Sequence, residues 1–341
     1  FSINHSTRTA GAGISISGYN DTIIKNLVIR EIASSSNRGI EIFRGYNTSI
    51  INNTIIVNRA SSDGIFLDRS INTRIISNNI TINGSTQASS NAIDILSSNF
   101  TNITGNILHN FRTTGINNHI IVLAGSSLNN TIFNNNILLT DDRSQGIRAI
   151  SSSYNILVNN KISTSGGNDT GIYFQSSSNS ILYNNTINVS GIRNYGIYLN
   201  ISSNNNIISN HTIFASGSNG AGIRFDEDSK DNNVTGTSIL TLGSSDYGIV
   251  IRGGKNYIFS TRIDTSGSSA HGILSLQMPT LGSSADIYDS IINASATNSY
   301  DINHTSDVFE AGINIYNTTL INKKIFTTNS VSQVKVYWYL D

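Results

Sequence analysis

Hydrophobic and polar residues alternate in short runs along the chain, and many of these runs begin with a Gly-Ile pair. Examples are GIYFQ at Gly171 and GIYLN at Gly196, in which every second residue is apolar. Alternation over four to six residues is typical of a β-strand that buries one face. The three- and four-residue spacing of an amphipathic helix is not found, so the pattern predicts an all-β protein.

A second phrase, rich in Asn, recurs between the Gly-Ile runs. Three of its copies are NTSIINNTI at Asn47, NTRIISNNI at Asn72 and NNTIFNNNI at Asn129. The two phrases alternate about every 25 residues, and such a period is the signature of a repeat architecture. The sequence therefore predicts a parallel solenoid of about 11 or 12 coils, each stacked on the one before.

The paired Asn residues next to strand positions need an explanation, because a buried amide without partners costs a few kcal/mol. Equivalent side chains of stacked coils lie about 4.8 Å apart, so an amide can donate to one neighbouring coil and accept from the other. The alternative is that these residues occupy exposed turns with left-handed backbone angles. We predict an internal ladder of Asn26, Asn53, Asn78, Asn135, Asn160 and Asn185, continued by His211 and Thr237.

The NxIxNN phrase paired with GIxI resembles the repeat of right-handed parallel β-helix proteins with the pectate-lyase-like fold. More narrowly, it is similar to the NosD-like surface proteins of methanogenic archaea. The resemblance covers about residues 11 to 325 and implies a right-handed parallel β-helix and an extracellular or cell-surface location. It does not decide the function, because the same coil carries lyases, hydrolases, adhesins and inert surface rods.

The end of the chain departs from the repeat. Residues 1–328 are predicted to form one β-helix, because solenoid repeats share a continuous core. Residues 329–341 are predicted to form a separate strand, either a link to another domain or a strand donated to a neighbouring copy. The alternative is a last strand that folds back and caps the coil. The candidate assembly residues are Val334, Val336, Tyr337, Trp338, Tyr339 and Leu340.

Charge and composition narrow the range of partners. The chain has 21 basic and 21 acidic residues and a formal net charge of +0. Without a basic stripe or a cationic amphipathic helix, neither nucleic-acid binding nor membrane insertion is expected. A neutral surface rich in Asn, Ser and Thr suits packing against copies of the same chain, or contact with cell-wall or matrix glycans. Four sequons in predicted turns are candidate glycosylation sites: Asn83, Asn168, Asn188 and Asn303.

The acidic run FDEDSKDN is the candidate metal site, because Asp226, Asp228 and Asp231 lie close together in it and carboxylates bind calcium. The alternative is a solvated turn in which Asp226 forms an ion pair with Arg252 of the next coil. The alternative is preferred, and no metal or other cofactor is expected.

The outward side of the Gly-Ile strands forms a column of equivalent positions. Because Ile172 and Phe174 are expected to point inward, Tyr173 must point outward. Tyr173 and Tyr198 are expected to stack between Arg148 and Arg224, as a sugar platform, a subunit contact or a ladder that stabilises the sheet. The predicted column is Glu41, Phe66, Asp94, Asn117, Arg148, Tyr173, Tyr198, Arg224 and Val250.

Two classes of function remain. The first is a non-catalytic structural protein of an extracellular layer, sheath or filament, which assembles with copies of itself. The second is a polysaccharide-active lyase or hydrolase, or a carbohydrate-binding adhesin, that uses the outer face. The first is favoured because no convergent acid pair is recognisable in the sequence, and enzymatic activity is not expected.

Overall fold

The computed structural model describes residues 2–5, 11–31, 37–58, 61–83, 90–111, 118–276, 282–305, 312–327 and 333–337. Within these ranges every regular element is a β-strand, and neighbouring strands of each sheet run parallel. The chain divides into two compact units, Phe1–Asp169 and Thr170–Asp341, here called unit one and unit two. In each unit, three consecutive strands belong to three different sheets and make one coil. The predicted all-β parallel solenoid is confirmed.

Unit one contains part of each sheet, with the strands in chain order along it. Sheet 1 there consists of β1 (Ser2–His5), β4 (Val28–Glu31), β7 (Thr54–Val57), β10 (Asn79–Ile82), β13 (Ile107–Asn110), β16 (Asn136–Leu139) and β19 (Lys161–Thr164). Sheet 2 consists of β2 (Ala12–Ser17), β5 (Arg38–Phe43), β8 (Asp63–Asp68), β11 (Ile93–Leu96), β14 (Ile121–Ala124) and β17 (Gln145–Ile150). Sheet 3 consists of β3 (Ile23–Lys25), β6 (Ser49–Ile51), β9 (Arg74–Ile76), β12 (Asn102–Thr104), β15 (Thr131–Phe133) and β18 (Ile156–Val158).

Unit two repeats the arrangement. Sheet 2 there consists of β20 (Thr170–Gln175), β23 (Tyr195–Asn200), β26 (Ala221–Phe225), β29 (Tyr247–Ile251), β32 (Ile273–Leu276), β35 (Ile302–Thr305) and β38 (Ile325–Thr327). Sheet 3 consists of β21 (Ile181–Tyr183), β24 (Ile207–Ser209), β27 (Asn233–Thr235), β30 (Gly254–Phe259), β33 (Ser283–Tyr288), β36 (Gly312–Tyr316) and β39 (Gln333–Tyr337). Sheet 1 consists of β22 (Thr186–Val189), β25 (Thr212–Ala215), β28 (Ser238–Thr241), β31 (Arg262–Thr265), β34 (Ile291–Ala294) and β37 (Thr319–Leu320).

The core of each coil is built from columns of aliphatic side chains in register. Ile40, Ile65 and Ile93 pair across sheet 2 of unit one, and all three are fully buried. Gly39 and Gly64, which precede Ile40 and Ile65, lie too close to neighbouring coils to carry a side chain, whereas Ala92 precedes Ile93. At Gly222 a Cβ would lie 2.8 Å from the Gly248 carbonyl oxygen and 2.3 Å from Ile239 Cγ2. This close approach explains why the Gly-Ile pair recurs.

The buried Asn side chains of unit one form a ladder between coils. Asn53 Nδ2 donates to Asn78 Oδ1 (3.0 Å), Asn78 Nδ2 to Asn106 Oδ1 (3.1 Å), Asn106 Nδ2 to Asn135 Oδ1 (2.9 Å) and Asn135 Nδ2 to Asn160 Oδ1 (3.0 Å). In unit two, the backbone N–H of Asn185 lies 3.1 Å from His211 Nδ1, and that of His211 donates to Thr237 Oγ1 over 3.4 Å. The predicted ladder residues other than Asn26 occupy such positions.

Asn26 is a correction to the predicted ladder. It is exposed, has a φ of 58° and accepts a hydrogen bond from Asn52 rather than from the buried Asn53. The equivalent of Asn53 in that coil is Leu27, whose backbone N–H donates to Asn53 Oδ1. In an Asn pair the first residue makes the left-handed turn and the second enters the ladder. Both roles considered for these Asn residues, the internal ladder and the exposed left-handed turn, therefore occur at adjacent positions.

The last described strand is also a correction. β39 pairs in parallel with β36, with Ile313 opposite Val334 and Ile315 opposite Val336. Residues 333–337 thus form the end strand of sheet 3, which was the alternative to a separate segment after residue 328. Trp338, Tyr339 and Leu340 lie outside the described residues.

Candidate binding face of sheet 2

The outer face of sheet 2 carries a cluster of charged and aromatic side chains in each unit. In unit one, the outward column runs from Glu41 through Phe66 and Asp94 to Val122 and Arg148. Val122 takes the place that the sequence assigned to Asn117, which lies outside the described residues. β14 begins at Ile121, which follows Ile120 rather than a Gly, so the Gly-Ile pair at Gly115 misidentified the start of this strand.

The acid pair of unit one, Asp63 and Asp94, is linked through Asn91. The Asn91 backbone N–H donates to Asp63 Oδ1 (2.9 Å), and Asn91 Nδ2 donates to Asp94 Oδ2 (3.3 Å). Arg38 Nε lies 3.9 Å from Asp63 Oδ2. Burial and the mutual repulsion of the two carboxylates raise the pKa of Asp63 to about 7, and burial raises that of Asp94 to about 6.

Arg148 and His119 border the acid pair. The Asn91 side chain accepts a hydrogen bond from the His119 backbone N–H (3.1 Å), and Arg148 Nη1 lies 2.7 Å from His119 Nε2. Burial, followed by the nearby Arg148 charge, lowers the pKa of His119 to about 3, so its imidazole is neutral at physiological pH. Arg148 belongs to unit one and Tyr173 to unit two.

In unit two the corresponding cluster is centred on Asp226. Its Oδ2 accepts hydrogen bonds from Tyr198 Oη (2.9 Å) and from Arg224 Nε and Nη2 (2.9 and 2.5 Å). Arg252 Nη1 lies 3.6 Å from the same oxygen, so the ion pair between successive coils that the sequence indicated is present. Burial, followed by the Asp226 charge, raises the pKa of Tyr198, which keeps its phenol protonated and donating.

The tyrosines of this cluster meet edge to face rather than in a parallel stack. The rings of Tyr173 and Tyr198 lie 5.3 Å apart at an interplanar angle of 68°. The Arg224 guanidinium lies 5.1 Å from the Tyr198 ring centroid and 4.9 Å from that of Tyr195, within cation–π range. Arg224 Nη1 also donates to Tyr195 Oη over 2.5 Å. These contacts hold the outer side chains of β23 and β26 in one arrangement.

Beside this cluster lies a pocket of about 100 Å³. Its apolar and aromatic walls are formed by Tyr195, Tyr247, Val250, Leu274 and Leu276. Asn219, Arg224 and Arg252 add polar groups to the lining. Ala221 occupies the strand position between Tyr195 and Tyr247, so the smaller side chain interrupts a row of rings that continues through His271, which stacks on Tyr247 at 5.5 Å.

The acidic run forms no shared site in the structure. Asp226 binds the two arginines, Asp228 pairs with Lys230 at 3.2 Å, and Asp231 is exposed in a left-handed turn. Among the described residues, no group of three or more His, Cys, Asp or Glu side chains has a geometry that holds a metal ion.

The sequons occupy different environments. Asn83 and Asn168 are exposed outside strands, Asn188 is exposed on β22, and Asn303 is half-buried on β35. The placement of all four in turns was therefore wrong for Asn188 and Asn303. Asn303 Nδ2 lies 2.8 Å from His271 Nε2, so that amide already has a partner in the coil. The described part of the chain contains no helix that could span a membrane.

Sequence reasoning missed the acid pair and the pocket. Asp94 was placed in the outward column. Asp63 is the first residue of β8, immediately before a Gly-Ile pair, and the alternating pattern included only the residues after that pair. The pocket arises from Ala221, a small residue in a column of rings. An available signal was the residue immediately before each Gly, which runs Thr170, Tyr195, Ala221, Tyr247 and His271 through unit two.

The coils of three parallel sheets define a parallel β-helix protein with a polar outer face on sheet 2. Residues 114–261 match the model of the family described as right handed beta helix region. Among curated proteins, none matches the sequence.

Solved structures share the fold at low sequence identity. The A-module of the mannuronan C-5 epimerase AlgE4 from Azotobacter vinelandii is 12% identical with a TM-score of 0.60, over 96% of this chain and 90% of the other. A chain of the Vag8–C1 inhibitor complex is 11% identical with a TM-score of 0.65, over 98% and 99%. DFA-IIIase from Arthrobacter chlorophenolicus, in complex with GF2, is 12% identical with a TM-score of 0.56, over 80% and 74%. At these identities the likeness concerns the fold alone.

Proposed function

We propose that the chain is a non-catalytic structural protein of an extracellular layer, sheath or filament, and that copies of it assemble through the ends of the coil. The observation that carries this proposal is the apolar last described coil. Ile325 and Val336 continue core columns in which Ile302 and Ile315 are fully buried, yet they are 39% and 42% exposed. Exposed aliphatic columns of this kind match the surfaces that neighbouring coils bury against each other, so they suit packing against a further coil.

A second copy is the partner that matches this surface. The first described coil of unit one also has half-buried Ile14 and Ile16 in core columns, paired with the buried Ile40 and Ile42. An end with aliphatic columns at one strand spacing fits another such end. The edge of β39 away from β36 has no partner strand among the described residues and can add one. A head-to-tail contact of this kind is heterologous and produces filaments.

The extracellular location is part of the proposal. It is supported by the resemblance to surface β-helix repeats and by the exposed sequon residues Asn83, Asn168 and Asn188, which are accessible to a glycosylating enzyme. Mass measurement of the protein purified from its native source would show added glycan at one or more of these positions. An unmodified mass would count against this location.

Electron microscopy and sedimentation of the 341-residue chain at low and high concentration test the assembly. We expect ordered fibres or sheets at high concentration, and their loss in Ile325→Lys and in a chain truncated after Thr328. The matched control is Ile207→Lys, because Ile207 is 45% exposed on β24, away from the coil ends. Monodisperse particles at every concentration, or equal effects of the two lysine variants, would overturn the proposal.

The acid pair of unit one supports a second candidate, a polysaccharide hydrolase. Two neighbouring carboxyl groups of raised pKa, beside Arg38 and Arg148, resemble the acid and base partners of glycoside hydrolysis. Release of reducing ends from a panel of polysaccharides, abolished in Asp94→Asn, would support this candidate. No release from any of them would leave the structural proposal in place.

A further inference from the structure

We propose that the pocket between Tyr195 and Tyr247 binds the acetamido group of an N-acetylated sugar. This binding function lies beyond the structural role proposed above, and it depends on different residues. All residues that form the pocket belong to unit two.

The size of the pocket selects a small group. A cavity of about 150 Å³ accommodates benzene, so a pocket of about 100 Å³ accommodates roughly four non-hydrogen atoms. A whole pyranose ring is larger than this and has to stay at the mouth. An acetamido group has the matching size and enters as a substituent of such a ring.

The lining matches both halves of an acetamido group. Val250, Leu274 and Leu276 provide an apolar surface for the methyl group, and the Tyr195 and Tyr247 rings form opposite walls. Asn219 is exposed at the rim, and its side-chain amide can donate to the ligand carbonyl and accept from the ligand N–H. A plain hydroxyl in the pocket would instead bury a polar group against the apolar walls, which is unfavourable.

Arg252 supplies a further donor. Its Nε is buried and has no hydrogen-bond partner among the described residues, although Nη1 approaches Asp226. A buried N–H without a partner is uncommon in proteins and points to a ligand or water acceptor. Arg224 is already engaged with Asp226 and Tyr195, so Arg252 is the guanidinium available to a ligand oxygen.

Tyr247 is fixed in a position that suits recognition. One face of its ring stacks on His271 at an interplanar angle of 16°, and the ring also lines the pocket. Tyr195 is held by the hydrogen bond that it accepts from Arg224. Because both walls are ordered before binding, little side-chain entropy is lost when a ligand enters.

Saturation-transfer NMR with the di- and trisaccharides of N-acetylglucosamine tests the inference, with cellobiose and a galacturonate oligomer as controls. We expect the acetyl methyl protons to receive the strongest saturation, and calorimetry to show about tenfold or greater preference over cellobiose. Equal binding of cellobiose would overturn the proposal. Preferred binding of the galacturonate oligomer would also overturn it and would show that the arginines select an anion.

Two glycine variants separate the pocket from the fold. Asn219 has a φ of 60°, which Gly adopts readily, so Asn219→Gly removes the amide and leaves the turn intact. Asn298→Gly, at φ 58° in an exposed turn outside the pocket, is the matched control. We expect about tenfold weaker binding for Asn219→Gly alone, with equal melting temperatures for the two variants. Equal affinities of the two variants for the N-acetylglucosamine oligomers would contradict the assignment.

Discussion

The Asn ladder makes a quantitative prediction for Asn135→Ala, because Asn135 has ladder neighbours on both sides within unit one. Its Oδ1 accepts from the Asn106 backbone N–H and from Asn106 Nδ2, each at 2.9 Å. Its Nδ2 donates to the Ile103 carbonyl (2.9 Å) and to Asn160 Oδ1 (3.0 Å). Alanine removes all four of these contacts from a site that is 2% exposed.

The expected loss follows from the groups that remain buried. The Asn106 N–H and the Ile103 carbonyl each lose the partner supplied by Asn135, at about 1–3 kcal/mol per group. The sum is about 2–6 kcal/mol of unfolding free energy, and part of it can appear as local opening between adjacent coils. A ladder residue is therefore expected to matter as much as a large core side chain.

Asn134→Gly is the matched control for this prediction. Asn134 is exposed, with a φ of 55° that Gly adopts without strain, so its free energy of unfolding should change by about 0.5 kcal/mol or less. Urea unfolding followed by circular dichroism compares the two variants, and hydrogen exchange at Asn106 reports local opening. If the adjacent substitutions have equal effects, the ladder is not what stabilises the coil.

Other substitutions test separate parts of the structure. Because the pKa of Asp63 is raised to about 7 and that of Asp94 to about 6, the folded state holds protons that the unfolded chain has released. The free energy of unfolding should therefore fall between about pH 4 and pH 7 and level off above. The double variant Asp63→Asn, Asp94→Asn should flatten this slope in denaturant titrations, and an unchanged slope would refute the assignment. Gly243→Ala would place a Cβ 1.4 Å from the Gly217 carbonyl oxygen, so we expect a loss of more than about 4 kcal/mol, measured by thermal unfolding; a shift of only a few degrees would contradict it. Asp226→Asn leaves the half-buried Arg224 without its counter-charge and should cost about 3–5 kcal/mol, whereas Asp228→Asn, at a side chain that is 31% exposed, should cost about 1 kcal/mol or less.

Much of the fold could be predicted from the sequence because each coil repeats the same physical requirements. The Gly-Ile pair indicates a position where the backbones of neighbouring coils lie too close for a side chain, as at Gly222. The alternation of apolar residues indicates the buried columns. The Asn pair was harder to interpret, since its first residue makes a left-handed turn and its second residue belongs to the ladder. Asn26 was misassigned because the ladder position of that coil holds Leu27, which keeps the backbone donor but has no amide.

The candidate sites depended on contacts that a repeat pattern does not encode. Asp63 and Asp94 are close to each other only because the start of β8 lies beside β11 on the neighbouring coil. The pocket depends on one small residue, Ala221, in a column of rings. The end strand β39 was hard to place because its sequence alternates like any exposed strand. Its register with β36 depends on how the coils pack, which the sequence of the strand itself does not specify.

The ladders also bear on how such a chain changes length during evolution. Asn106 Oδ1 accepts a hydrogen bond from Asn78 Nδ2, and Asn106 Nδ2 donates one to Asn135 Oδ1. Each side-chain amide of the ladder is therefore bonded to the same kind of amide in the next coil. Duplicating or deleting a whole coil leaves every donor with an acceptor of the same kind. Inserting a single residue into the short link between the preceding strand and the ladder residue would instead move the amide out of its column. Variation by whole coils is thus the kind of change that this hydrogen-bonding scheme tolerates.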